Sequence, residues 1–162
     1  GKIPYYSIHQ GGTIHLLDLI LYLKNSLVLK VYSLGNSISS KQSKFKYNDL
    51  SVVLIKFYDG STAKITSNFS SFTPHHHKLS VFGTKKTFDY NFFNNIYFSS
   101  KDNQKDKIEL SKNIRKYDKS KVLKNFLYNL ENNKSKINVN MKNFFYLSEI
   151  IFKIDKSMKK NS

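Results

Sequence analysis

Three polar side chains interrupt an otherwise apolar stretch near the start of the sequence, and their types and spacing suit proton chemistry. His15, Asp18 and Tyr22 stand at positions i, i+3 and i+7, so they share one face of a helix. A histidine titrates near neutral pH, and a carboxylate beside it can accept a hydrogen bond from one ring nitrogen. The other nitrogen is then free to exchange a proton with a substrate hydroxyl. These residues are the first candidates for a catalytic site.

The composition of the same helix supports a second interpretation. Between Ile14 and Leu23 every residue other than these three is leucine or isoleucine, and a helix that is apolar on nearly all sides is expected to be buried. Buried polar groups need partners, because leaving one unpaired costs on the order of several kcal/mol. On this interpretation His15 bonds to Asp18 in a purely structural network. The residues alone leave the catalytic and the structural interpretations both open.

The elements around this helix predict an α+β domain. Residues 1–12 read as an extended lead-in, and Thr13 is the predicted N-cap of a helix over 14–24. The dipeptide Asp59-Gly60 between two apolar runs predicts a hairpin with a type I′ turn. The predicted strands are 27–34, 50–58, 61–69, 78–82, 87–90 and 95–99, and the predicted C-terminal helices are 122–130 and 141–155. This order favours a predominantly antiparallel open sheet with helices packed on one face.

Taken in order, these motifs resemble the C-terminal, substrate-binding domain of the Gfo/Idh/MocA-family oxidoreductases. The pair Gly11-Gly12 leads into a leucine-rich helix with His15 and Asp18 in an HxxD pattern. The stretch VVLIKFYDGSTAKITSNFS resembles the family's hairpin, and HHKLSVFGTKKTFDYN resembles the next strand with its Gly-Thr turn. The last part, VLKNFLYNLENNKSKINVNMKNFFYLSEIIFKIDKS, is similar to the two C-terminal helices of the family.

The resemblance implies oxidation or reduction of a hydroxyl on a sugar or nucleotide sugar, with NAD or NADP as the cofactor. In that arrangement His15 is the acid/base, Asp18 orients it, and Gly11 and Gly12 face the cofactor. The family's Rossmann domain, which holds most of the dinucleotide, lies upstream and is not in this sequence. We therefore expect an inactive fragment that starts at Gly1 and forms a homo-oligomer through its sheet face.

The implied domain boundaries follow from the same resemblance. Residues 1–12 are expected to be the lead-in from the Rossmann domain, residues 13–157 a single substrate-binding and oligomerisation domain, and residues 158–162 a frayed tail.

The substrate contacts are less directly implied, because the sequence departs from the family pattern. Many members have an aspartate four residues before the histidine, where this chain has Gly11. Its substrate-orienting role is therefore expected either to be absent or to fall to His9 or Gln10. Tyr5 and Tyr6 either flank the cleft or pack the segment onto the sheet. Tyr22, on the face of the HxxD pair, is a further candidate.

A histidine triplet is the remaining candidate site. Side chains alternate along a strand, so His75 and His77 share a face and have the spacing of metal ligands. Zinc sites have three or four protein ligands, and no further acidic or cysteine ligand is near these histidines in sequence. A metal site is therefore the less favoured interpretation. The favoured interpretation is a polar strand end that lines the substrate cleft.

Composition narrows the other classes of function. The 162-residue chain has a net charge of +16, but Arg115 is its single arginine, and dispersed lysines favour a solvated surface over nucleic-acid recognition. It has no cysteine, which excludes disulfides and thiolate catalysis. The longest apolar run is too short to span a membrane, and no signal peptide is evident, so a cytoplasmic protein is expected. The rival functions are a non-catalytic binding or assembly module and, third, a nucleic-acid-binding domain.

Overall fold

A computed structural model describes residues 6–45, 47–90, 95–98, 107–109, 119–132 and 141–161. The chain divides into two compact units, one made of Gly1–Ser71 with Lys136–Ser162 and the other of Phe72–Ser135. Among the described residues, no helix has the length and apolar character needed to cross a membrane.

The first unit contains a π-helical turn, two α-helices and a three-stranded sheet. Its elements are the π turn His9–Thr13, α1 (Ile14–Leu23), β1 (Val28–Asn36), β2 (Leu50–Phe57), β3 (Thr62–Asn68) and the C-terminal helix Met141–Lys160. The strands are antiparallel in the order β1-β2-β3. Leu54 pairs with Tyr32 on one side and with Lys64 on the other.

The second unit contains an antiparallel sheet and one helix. Its strands, in spatial order, are β4 (Leu79–Phe82), β5 (Thr87–Tyr90), β6 (Asn95–Phe98) and β7 (Lys107–Glu109), and its helix is α2 (Lys119–Glu131). The C-terminal helix of the first unit is therefore α3. The sequence did not predict β7, which at three residues is too short to show a period. The sequence also predicts a charged loop over residues 101–107; residues 101–106 lie outside the described residues, and Lys107 belongs to β7 instead.

Side-chain alternation along β2 and β3 places one sheet face on the core. Val53, Ile55 and Phe57 are buried, whereas Leu54 between them is exposed. The residues of α1 and α3 complete this core with Leu17, Leu147, Ile150, Ile151 and Ile154. The period-two pattern of the strands and the helical spacing of α3 both bury one face only, as their sequences predict.

The hairpin between β2 and β3 forms at the predicted dipeptide but with a different loop. The N–H of Gly60 donates to the carbonyl of Phe57, and the N–H of Phe57 donates to the carbonyl of Ser61. These bonds close a three-residue loop in which Gly60 adopts φ +84°, a conformation that favours glycine. The prediction of a two-residue type I′ turn is therefore wrong, although the hairpin itself is confirmed.

Helix α3 is longer than predicted and is fastened to β1. It continues to Lys160, so residues 158–160 are helical rather than frayed. The N–H of Val28 donates to the hydroxyl of Tyr146 at 2.6 Å. Ser33 donates its hydroxyl to the carbonyl of Ile154 at 3.2 Å, and its N–H donates to the hydroxyl of Ser157 at 3.0 Å. These bonds fix the position of α3 along the strand.

The predicted fold class is confirmed: the described residues form antiparallel sheets with helices, in an α+β arrangement. They form two separate sheets rather than one continuous sheet. The predicted extended lead-in is wrong for its last residues. The backbone is already helical at Ile8 and stays helical through Gly11 and Gly12.

Candidate functional site

The helix α1 presents its three polar residues to solvent. His15 and Asp18 are exposed, and Tyr22 is 86% exposed. The prediction that they share a face holds, but the expectation that α1 is buried on nearly all sides is wrong. Only Leu17 on this helix is fully buried. The sheet covers only one stripe of this ten-residue helix, so Leu16 and Leu21 are half-buried and Leu19 and Leu23 are exposed.

The surface around His15 is apolar. Leu19 is 39% exposed and Leu23 is 54% exposed on the same helix. In the part of the chain that the structure describes, His15 and Asp18 bond neither to each other nor to another side chain. The structural network that the sequence left open is therefore not formed. The imidazole and the carboxylate are therefore both accessible, beside exposed leucines on the same helix.

A π-helical turn precedes α1 and packs against the sheet. The N–H of Ile14 donates to the carbonyl of His9, the i to i−5 bond that defines a π turn. Thr13 has a helical backbone and makes no capping bond, so its predicted role as N-cap is wrong. Its hydroxyl lies instead 2.9 Å from the hydroxyl of Ser67 on β3, where both groups are buried. This pair ties the end of the π turn to the sheet.

The glycine pair allows two aromatic rings to lie against the π turn. A Cβ at Gly12 would come within 2.9 Å of the ring of Phe69, and a Cβ at Gly11 would overlap the hydroxyl of Tyr6. The Tyr6 and Phe69 rings stack with centroids 6.4 Å apart. Glycine at both positions leaves room for these rings, and the predicted contact of the pair with a cofactor stays a prediction.

The same contact places a phenol hydroxyl on the side of the helix that carries His15. Gly11 is four residues before His15, so on a helix the two positions lie about one turn apart on the same side. The Tyr6 hydroxyl occupies the space where a side chain at Gly11 would be. Among the described residues this hydroxyl has no hydrogen-bond partner, and the residue is 37% exposed. Tyr5 lies outside the described residues.

Of the two residues that the sequence offered as substitutes for the missing aspartate, only Gln10 reaches solvent. Gln10 is exposed and bonds locally to Ser7, whose N–H donates to its Oε1 at 3.4 Å. His9 has no exposed surface. The structure therefore gives His9 an internal position rather than the predicted contact with substrate.

His9 is held by two residues that the sequence analysis missed. Its Nδ1 donates to Oδ1 of Asp155 on α3 at 2.5 Å, and its Nε2 lies 2.7 Å from Oγ of Ser51 on β2. Asp155 carried a signal in the sequence, because it follows Ile151 by one helical turn on the apolar stripe of α3. Ser51 carried a signal for its orientation only, because it stands two residues before Val53 on the face of β2 that the alternation buries.

Serine, histidine and aspartate in this order of contacts match the hydrogen-bond pattern of a hydrolytic triad. The burial decides against that chemistry. Ser51 and His9 are both fully buried in the core, so no substrate carbonyl reaches the serine hydroxyl. The cluster is a structural clamp.

An ion pair closes the far end of α1. The Lys24 ammonium lies 2.6 Å from Oδ2 of Asp59 in the hairpin loop. The hydrogen bond from Lys24, helped by those from Ser61, holds the pKa of the Asp59 carboxyl well below its usual range. The helix is thus attached to the sheet at both ends.

The histidine triplet lies in the second unit, just before β4. His75 and His77 are exposed, and their rings meet edge to face with centroids 5.0 Å apart, as expected for residues on one face. No group of three metal-ligating side chains occurs among the described residues.

Comparison with known proteins identifies the family. A family profile described as the GFO/IDH/MocA C-terminal domain matches residues 11–89. The chain carries a GFO/IDH/MocA C-terminal domain. The matched segment runs from the glycine pair through His15 and the hairpin into β5, which confirms the resemblance seen in the sequence. Among curated proteins, none matches the chain.

Solved structures share the fold of this GFO/IDH/MocA C-terminal domain. UDP-N-acetylglucosamine 3-dehydrogenase GnnA from Acidithiobacillus ferrooxidans superposes with a TM-score of 0.73 at 13% identity, over 91% of this chain and 45% of that one. An NAD-binding protein from Listeria innocua gives 0.68 at 19% identity, over 96% and 50%.

The WlbA dehydrogenase from Bordetella pertussis, solved with NADH and UDP-GlcNAcA, gives a TM-score of 0.61 at 9% identity over 96% and 44%. At these identities the likeness concerns the fold. The chain spans half or less of the length of these three solved proteins.

Proposed function

We propose that this domain binds the substrate and supplies the acid/base of an NAD(P)-dependent oxidoreductase that acts on a hydroxyl of a sugar or nucleotide sugar. The observation that carries the proposal is the open, apolar face of α1 with His15 and Asp18 at its centre. The fold it shares with GnnA and WlbA supports the choice of substrate class, because GnnA is a UDP-N-acetylglucosamine 3-dehydrogenase and WlbA was solved with UDP-GlcNAcA.

In this proposal His15 accepts the hydroxyl proton of the substrate. Its imidazole is exposed and has no side-chain partner among the described residues, so a ring nitrogen is available to a hydroxyl. Asp18 stands one turn further along the same face. It bonds a neighbouring substrate hydroxyl, or turns to the imidazole and stabilises its charge when the proton arrives.

The proposal assigns substrate orientation to the hydroxyl of Tyr6 and the amide of Gln10. Both lie near the π turn, both are exposed, and the Tyr6 hydroxyl stands over Gly11 one turn before His15. A phenol hydroxyl both donates and accepts, which suits a sugar carrying several hydroxyl groups. Tyr22 and the histidines at 75 and 77 remain predicted contacts to substrate.

The residues present fit a nicotinamide that another domain presents. The His15 face is open and lined by leucines, and aromatic rings fill the space beside Gly11 and Gly12. A bound nicotinamide supplies the hydride acceptor. Once the His15 face is covered, it excludes water from the reacting carbon, and His15 accepts the proton of the hydroxyl. We propose that a Rossmann domain outside this sequence covers it.

The proposal extends to self-association through the open face of the first sheet. Tyr32, Leu34 and Leu54 are neighbours there in the strand register, and each is close to half exposed. Adjacent exposed apolar side chains of this size are typical of protein interfaces. We expect the substitution Leu54→Lys to shift sedimentation of the protein toward the monomer, whereas Gln42→Lys, at an exposed position in the connection between β1 and β2, changes it little.

The test uses the polypeptide that carries this domain together with its dinucleotide-binding domain. Reduction of NAD or NADP is followed by absorbance with UDP-N-acetylglucosamine and related sugars. His15→Gln is expected to lower kcat by roughly 10²–10⁴-fold, the contribution of a general acid/base. The matched control His76→Gln changes an exposed histidine in the other unit and should leave kcat unaltered.

Two results would overturn the proposal. One is turnover that His15→Gln leaves unchanged. The other is a natural coding sequence that begins at Gly1 with no partner domain elsewhere. In the second case, self-association that still responds to Leu54→Lys would identify the domain as an assembly module.

A further inference from the structure

The clamp around His9 has no part in the chemistry proposed so far, yet it joins three elements. His9 begins the π turn, Asp155 belongs to α3 and Ser51 belongs to β2. The two hydrogen bonds of the imidazole therefore fix the first residue of the turn against both a helix and the sheet. A fully buried histidine is a costly way to achieve packing alone, because each ring nitrogen needs a partner.

The π turn needs such a clamp. Two of its five residues are glycines, which lose the most conformational freedom on folding and weaken a helix by about 1 kcal/mol each. The π-helical geometry is itself rare and occurs as single turns, frequently at functional sites. Its shape must be imposed by its surroundings. The described bonds do so at both ends, through His9 at the first residue and through Thr13 and Ser67 at the last.

The partner of His9 is itself held in place. Ser33 on β1 bonds to the carbonyl of Ile154 and to the hydroxyl of Ser157, the positions immediately before and two residues after Asp155. The carboxylate is only partly exposed. The position of α3 along β1 therefore sets the position of Asp155, which in turn sets that of His9.

We propose that this clamp positions His15, so that His9 is a positioning residue for proton transfer; the inference rests on the proposed function. His15 stands two residues after the π turn, on the opposite side of the helix from the buried Thr13 and Leu17. A shift of the turn moves the imidazole directly. A displacement of about 1 Å at a reacting group is enough to lower a rate by roughly 10²-fold.

The test compares two substitutions at the same position. Asp155→Asn keeps an oxygen that accepts the hydrogen bond from Nδ1 of His9, whereas Asp155→Leu has a similar volume and no acceptor. The control Ile151→Ala makes a cavity one turn away on the same helix and leaves the clamp intact. If Asp155→Leu does not fold, Ser51→Ala takes its place, since it removes only the partner of Nε2.

Two readouts are taken from each variant. The first is the NMR signal of the His15 ring in this chain, assigned among the five histidines by its loss in His15→Gln. The second is kcat and KM of the complete enzyme. We expect Asp155→Leu to move the His15 signal and to lower kcat by about 10–100-fold with KM within about twofold. Asp155→Asn should leave the His15 signal and kcat close to those of the unaltered protein. Ile151→Ala should change only the unfolding midpoint.

The readouts separate this inference from the proposed function. An unmoved His15 signal in folded Asp155→Leu overturns the positioning role whatever the kinetics show. A moved signal with unaltered turnover supports positioning and removes His15 from the chemistry. An equal loss of kcat in Ile151→Ala would mean that general destabilisation accounts for the effect, which also overturns the inference.

Discussion

The buried bond between Thr13 and Ser67 leads to the most sharply defined prediction, a double-mutant cycle. Thr13→Val removes one hydroxyl while keeping the shape of the side chain, and Ser67→Ala removes the other. The two oxygen atoms lie 2.9 Å apart, with Thr13 fully buried and Ser67 7% exposed, so neither hydroxyl has water as a ready replacement.

The magnitude follows from the asymmetry of buried hydrogen bonds. Each single change leaves the other hydroxyl buried without a partner, which costs about 1–3 kcal/mol in the free energy of unfolding. Replacing both partners by apolar groups is close to neutral by comparison. We therefore expect the double variant to be no less stable than either single variant, so the coupling free energy should be at least as large as one single effect, about 1–3 kcal/mol.

Urea unfolding followed by circular dichroism measures this coupling. The midpoints should differ while the slope of the transition stays constant, and each kcal/mol lost lowers Tm by about 2–4 °C for a chain of this size. Thr66→Val on the solvent side of β3 is the matched control and should change stability little. If the two single effects simply add in the double variant, the bond does not couple the π turn to the sheet and the reasoning is refuted.

Three further outcomes are expected. The pKa of Asp59 is lower in the folded state than its unfolded-state value of about 3.9, so the ionised carboxylate stabilises the fold when the pH lies above that value. This stabilisation is lost as the pH falls from about 5. Lys24→Met should therefore flatten that part of the profile of urea midpoint against pH. Gly60→Ala should cost about 1–2 kcal/mol in thermal unfolding, and since a Cβ there meets nothing within 4 Å, a near-zero loss would contradict the role of its positive φ. Tyr146→Phe removes the acceptor for the N–H of Val28 and should lower the free energy of unfolding by about 1 kcal/mol, with faster amide exchange at Val28; unaltered exchange would count against the bond.

The sequence predicted those elements of the fold whose signals are local. The period of two along β2 and β3, with Asp59-Gly60 between them, was enough for the hairpin, and the helical spacing of α3 was enough for its buried face. The loop type was misjudged because Gly60 adopts its positive φ as the last residue of a three-residue loop, a choice that depends on how the flanking strands pair.

The candidate site was predictable in its residue types but not in its surroundings. The spacing of His15 and Asp18 correctly placed them on one face. Their exposure depended on how much of α1 the sheet can cover, which no periodicity states. The contacts of His9 join residues 42 and 146 positions apart, so nothing local in the sequence indicated them. At the glycine pair the sequence indicates the end of a lead-in and a contact with the cofactor, whereas the close approach of the Tyr6 and Phe69 rings depends on the tertiary fold.

The leucines left open beside His15 have a consequence for the life of the polypeptide in a cell. Chaperones and proteases act on exposed apolar segments of a polypeptide. The α1 surface, where Leu19 and Leu23 are both exposed, has this character. A copy of this domain whose α1 surface stays exposed should be bound by chaperones and degraded. A copy whose α1 surface is covered should not be degraded. The abundance of the domain should then follow the supply of whatever covers α1.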